Sequence, residues 1–257
     1  MLIIILLATL VVSLISLIGV AIFFAKPEKK QILLKNIISL AAGALLATAF
    51  FHLLPEALEE SKFSIKTLLI ISLSSILFFF IMEKYLHWHR CRCEECGEYE
   101  SIKNNNHKHF IYTNLIGDSI HNFIDGAAVA ASFLVSPITG IITTLTIIFH
   151  EIPQEISDFG ILLYGGLAKN KALLFNFLTA LVAVVGALFF YYFARQLEQI
   201  IPLMIAFAAG NFIYLATADL IPEIHHEKNP SQILANTLWL IFGVILIIGL
   251  ITFLPEI

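Results

Sequence analysis

Two short stretches carry most of the side chains able to do chemistry. The first, IGDSIHNFIDGAAVAASF, places Asp118, His121, Asn122 and Asp125 at i, i+3, i+4 and i+7. The second, HEIPQEISDFGILLYGG, places His150, Glu151, Gln154, Glu155 and Asp158 at i, i+1, i+4, i+5 and i+8. Either spacing gathers its residues on one side of an α-helix. Five carboxylates and two histidines then face inward from two neighbouring helices, with almost no Lys or Arg to neutralise them. Uncompensated charge in an apolar setting is costly, and a bound metal cation is a natural counter-charge. Imidazole with carboxylate suits Zn²⁺, Fe²⁺ and Mn²⁺. Mg²⁺ and Ca²⁺ prefer all-oxygen sites, and Cu⁺ wants the sulfur that these stretches lack. Weak ligands such as Asn122 and Gln154 also suit an ion that must leave as well as enter.

The elements that position these residues are read from composition. The chain has 257 residues, 59% hydrophobic and only 13% charged, and a mean hydropathy of +0.89. A soluble domain carries about 25% charged residues. Such a chain has too little polar surface for a soluble enzyme or a disordered regulator, and a net charge of −4 excludes a nucleic-acid footprint. The expectation is an all-α integral membrane protein. Long apolar runs at about 2–25, 33–55, 65–86, 110–135, 138–166, 170–194, 200–222 and 233–254 predict eight transmembrane helices, each beyond the roughly 18 residues a span requires. The first run lacks a basic leader and reads as an uncleaved helix.

Of the 15 Lys and Arg residues, only Lys62, Lys66 and Arg195 fall in even-numbered loops. That bias puts the odd loops in the cytoplasm and both termini outside. The chain is expected to form a single transmembrane domain, 1–257. Within it, a cytoplasmic loop at 87–109 holds His87, His89, Cys91, Cys93, Cys96, His107 and His109. Reduced thiols and imidazoles there form a soft metal-capturing segment. His52 and Glu56 at the outer end of the second span, and Asp219 and Glu223 toward the inner end of the seventh, are candidate way-stations for a cation, as are Asp118 and Asp158. Pro153, inside the fifth helix, frees the carbonyl of Phe149.

HNFIDGAAVAASF followed by HEIPQEISDFGILLYGG, with AAGNFIYLATADLIPE in the seventh span, resembles the helix signatures of the ZIP family of zinc and iron transporters. The resemblance implies a carrier that takes divalent metal into the cytoplasm, with its metal site between helices 4 and 5. By that match the ligands are His121, Asn122 and Asp125 from one helix and His150, Glu151 and Gln154 from the next, with Glu155 beside them. Some members have His or Glu where this chain has Gln154, which favours one principal metal here, on His121, Asp125, His150 and Gln154 or Glu155. The resemblance further implies inverted repeats, alternating access and a homodimer. The transported substrate is expected to be Zn²⁺, with Fe²⁺ or Mn²⁺ as alternatives, with no organic cofactor, and with metal ions and membrane lipids as the partners. The short loops suggest a prokaryotic cytoplasmic membrane. Two other readings are an intramembrane zinc metalloprotease, whose H-E-x-x-H motif lacks its second histidine here, and a metal-binding membrane receptor.

Overall fold

Hydrocarbon offers backbone N–H and C=O groups no partners, so a chain this apolar must bond its backbone internally. The computed structural model, which describes residues 1–23, 27–59, 61–91, 106–194, 196–225 and 227–253, contains helices and no strand among them. We number them α1 (Leu2–Phe23), α2 (Pro27–Thr48, continued through Ala49–Leu53 to Leu54–Glu59) and α3 (Ile65–Cys91). Next come α4 (Asn106–Val135) and α5 (Pro137–Tyr164). α6 comprises Lys169–Ala180 and Val182–Ala194. α7 runs from Ile200–Tyr214 through Leu215–Leu220 to Ile221–His225, and α8 is Pro230–Phe253. The protein is an all-α, multi-pass membrane protein.

Five helical stretches are long and apolar enough to cross a bilayer: Ile32–Glu59, Ile65–Tyr85, Lys169–Ala194, Ile200–His225 and Pro230–Phe253. α4 and α5, at 30 and 28 residues, are at least as long, but their polar stripes lower their hydropathy. The stretch 87–109 is not wholly loop, because α3 stays helical to Cys91 and α4 begins at Asn106. Cys93 and Cys96 lie outside the described residues, as do the side chains of His87, His89, Cys91, His107 and His109.

Small residues let the helices approach closely. α2 packs on α8, α7 on α3, and α4 on both α5 and α6. A Cβ on Gly43 would stand 2.0 Å from the Leu240 carbonyl oxygen, and one on Gly126 would stand 1.8 Å from that of Ala183. Neither position tolerates a side chain without moving a helix.

α2 and α7 repeat one another. AAGALLATAFFHLLPEALEE and AAGNFIYLATADLIPEIHHE align in register from Ala41 and Ala208, matching Gly43 with Gly210, His52 with Asp219, Pro55 with Pro222 and Glu56 with Glu223. Both helices widen into a π-helical turn just before the proline, at Ala49–Leu53 and Leu215–Leu220. The cause is common to both: proline donates no hydrogen bond to the carbonyl four residues back, and the turn around that carbonyl loosens. Pro153 differs, because α5 remains α-helical around it.

Candidate metal centre

α4 and α5 leave their stripes facing each other because Ser136 caps the start of α5 immediately after α4 ends. Its hydroxyl accepts the Thr139 N–H at 3.0 Å, with Pro137 at the first helical position. The two helices therefore run antiparallel and adjacent. Where the stripes meet, His121, Asp125, His150 and Glu151 bring one ligand atom each within 4.8 Å of one another, all buried. His150 Nε2 lies 3.0 Å from Asp125 Oδ2. His121 Nε2 is 3.4 Å from Asp125 Oδ2, 3.4 Å from Glu151 Oε1 and 3.4 Å from His150 Nε2. His150 Nε2 to Glu151 Oε1 is 3.7 Å.

These separations carry chemical meaning. Four ligands at zinc's bond length of about 2.0–2.1 Å, placed tetrahedrally, stand roughly 3.4 Å apart. Five of the six separations, 3.0–3.7 Å, are close to the edges of that tetrahedron. The two imidazole Nε2 atoms meet at 3.4 Å, and with both unprotonated a shared cation would satisfy their lone pairs. His150 is oriented by its other nitrogen, since Nδ1 lies 3.2 Å from the Thr146 carbonyl oxygen, the outer contact typical of a metal-binding histidine. Phe79 stacks edge-on against His121 at 6.4 Å between ring centroids, and Phe212 against His150 at 5.8 Å. The donor set thus sits in an aromatic wall that holds both rings.

The remaining expected ligands go elsewhere. Asn122 turns to its own helix, donating to Asp118 Oδ1 at 2.8 Å. Glu155 accepts a hydrogen bond from Asn176 on α6. Gln154 is partly buried and lines a cavity rather than joining the four-atom group. Glu151, which a simple one-metal set omits, belongs to that group. The physical reason is helical rotation: residues one apart on a helix differ by about 100°, so each stripe is two adjacent rows. His121 and Asp125 form the row facing α5, and Asp118 and Asn122 the row facing α6.

The cavity, about 540 Å³, reaches from His121 and His150 past Asp118 and Asp158 to Asp219 and Glu223. Those way-station candidates are therefore brought together with the metal centre. His52 is not: it is 7% exposed and its Nε2 has no partner, and neither His52 nor Glu56 lines that cavity. Two participants were missed in the sequence. Glu83 of α3 lines the cavity and accepts the Tyr214 hydroxyl. Asn211 of α7 donates to Asp125 Oδ1 at 3.5 Å. A lone acid near the end of an apolar run and a lone Asn within one were the available signals.

The family model described as ZIP zinc transporter matches residues 1–110 and 93–251. The chain is similar to zinc transporter ZIP13 of Pongo abelii, 32% identical over 228 residues, which are 84% of this chain and 66% of that protein. It is 31% identical over 255 residues to zinc transporter ZIP13 of Mus musculus, covering 86% of this chain and 70% of that protein. To zinc transporter SLC39A7 of Homo sapiens it is 39% identical over 148 residues, 53% of this chain and 31% of that one. The chain spans about two thirds of the length of the two ZIP13 relatives.

Proposed function

The chain belongs to the ZIP zinc transporter family, and from that premise we propose that it carries Zn²⁺ across its membrane into the cytoplasm through His121, Asp125, His150 and Glu151. The observation that carries the reading is the mutual spacing of those four ligand atoms, 3.0–3.7 Å for five of the six pairs, beside the roughly 3.4 Å edge of a tetrahedral zinc site. Two nitrogens and two carboxylate oxygens make the set suitable for Fe²⁺ and Mn²⁺ as well, and zinc is favoured by the tetrahedral fit. Zn²⁺ is cargo here, and no organic cofactor enters the scheme.

Eight spans with both termini outside follow from the Lys and Arg distribution. In that orientation the cavity opens to the cytoplasm. An ion leaving the centre meets Asp118 and Asp158, then Asp219, Glu83 and Glu223, so that negative groups lead it inward. The likeness of α2 to α7 supports alternating access, in which the outer turn at His52 and Glu56 opens when the inner one closes. The aqueous histidine and cysteine stretch, 87–109, supplies soft ligands where metal emerges. A homodimer completes the proposal. The assignment to a prokaryotic cytoplasmic membrane rests on short loops alone, while the relatives compared are animal proteins.

The test is uptake of radiolabelled zinc by proteoliposomes. Saturable uptake by the wild type, abolished in His121→Ala/His150→Ala, is expected. Asp125→Ala should lose more than the roughly 10–100-fold that follows removal of an outer partner, while eluting as folded protein. Stoichiometric zinc binding without flux would sink the carrier reading in favour of a receptor.

A further inference from the structure

Beside the zinc centre, α4, α5 and α6 build a second polar cluster that contains no nitrogen ligand. Asn176 Nδ2 of α6 donates to Glu155 of α5. Thr179, one turn on, donates to the main-chain oxygens of Phe175 at 3.2 Å and Asn176 at 2.8 Å, and its hydroxyl lies beside the Asp118 carboxylate of α4. Asn122 Nδ2 braces Asp118 from within α4. One polar cluster thus spans three helices through Asn122, Asp118, Thr179, Asn176 and Glu155.

The donors run out before the acceptors do. Both amide nitrogens and the hydroxyl are already committed. Glu155 Oε1, Asn122 Oδ1 and Asn176 Oδ1 are left without partners, in residues exposed by 1%, 0% and 0%. Polar glue between helices pairs its buried acceptors, because each orphan costs about 1–3 kcal/mol. Neither Asp118 nor Glu155 has a Lys or Arg partner among the described residues. What fits an excess of buried oxygen and two carboxylates is a cation. With oxygen donors only, no imidazole and no thiolate, the ion is hard rather than zinc-like.

We propose that Asp118, Glu155, Asn176 and Thr179, braced by Asn122, form a binding site for a hard divalent cation of the calcium type, separate from the zinc centre. Two carboxylates balance the dication's charge. Amide carbonyls and a hydroxyl fill the coordination sphere as Ca²⁺ accepts them, whereas Mg²⁺ holds its waters and a strict octahedron. The bound ion ties α6 to the two helices that carry the zinc ligands. The site stands whether or not zinc is the cargo.

The experiment is equilibrium dialysis of the purified full chain in detergent against radiolabelled calcium. Saturable binding is expected in the wild type and in His121→Ala/His150→Ala, which leaves the oxygen cluster intact. Glu155→Gln should weaken it about tenfold or more, and Asn176→Asp, of equal volume, should tighten it by about tenfold, because carboxylate count sets affinity. Asn176→Asp is a gain of binding and cannot be mistaken for misfolding, so it decides the matter if Glu155→Gln does not fold. Absence of saturable calcium binding overturns the proposal. So does calcium displaced one for one by zinc, or lost in the double histidine variant, either of which assigns it to the zinc centre. Binding of sodium or protons alone, with calcium unable to compete, overturns it equally.

Discussion

α2 and α7 carry the same motif in two different packing environments. Each carries an Ala-Ala-Gly at a close crossing, a π-helical turn and a Pro-Glu pair beyond it. In α2 the polar residue of the turn, His52, is buried with Ala49 and Leu53, and the exposed positions are the apolar Phe50 and Phe51. In α7 the polar residue is accessible: Thr217, Ala218 and Asp219 are exposed, and Asp219 lines the cavity that reaches the candidate metal ligands His121 and His150. The matched sequence around the proline goes with the widening of both turns, and it cannot explain why only one is accessible. That difference lies in packing: one motif occurs twice, and the tertiary arrangement sets which copy borders the cavity.

The sharpest break of this comparison is aqueous thiol labelling. In a background with Cys91, Cys93 and Cys96 changed to Ser, Asp219→Cys should react roughly tenfold or more faster than His52→Cys with a charged thiol reagent, since reactivity follows exposure. Equal rates would mean the two turns are equally accessible and the asymmetry is void. Next in size is proton competition at the candidate metal centre. Histidine ligands must be neutral to bind metal, so zinc uptake should fall several-fold from about pH 8 to about pH 5. A flat profile over that range would remove His121 and His150 from the path.

The matched glycines offer a symmetric test. Cβ atoms would lie 2.0 Å from Leu240 O at Gly43 and 2.2 Å from Ser72 O at Gly210. Gly43→Leu and Gly210→Leu should each destabilise by about 1–3 kcal/mol, read as thermal unfolding in detergent. A cost at only one would show that the two crossings are not equivalent. The smallest effect belongs to the tie between the repeats, where Lys35 at the start of α2 meets Glu227 beyond α7 at 2.5 Å. The Lys35 hydrogen bond holds Glu227 at about 2, below its ordinary 4.5. The depressed value means the contact stabilises fully above about pH 4.5 and is lost as pH falls toward 2. Lys35→Ala should therefore lower the melting temperature slightly at pH 6 and leave it unchanged near pH 2.

The residues of the candidate metal centre could be picked out before folding. Ligand-type residues at helical spacing in apolar runs announce themselves, because hydrocarbon penalises every one that has no task. Spacing also located the helices that bear them. It did not say which row of each stripe faces which neighbour. Asn122 and Glu155 sit in the right stripes and turn to Asp118 and Asn176, while Glu151 joins the four-atom centre. Glu83 and Asn211 come from other helices, each alone in its run, with no periodic pattern to mark them.

The sequence by itself determined the membrane class, the long helices and the candidate metal chemistry, because composition and period are local properties that solvent enforces residue by residue. Only the tertiary structure decided which ligands converge, which oxygen atoms are left over between α4, α5 and α6, and which of two matching turns borders the cavity. Those outcomes depend on the rotation and approach of helices distant in the chain, and close packing at Gly43, Gly126 and Gly210 sets them.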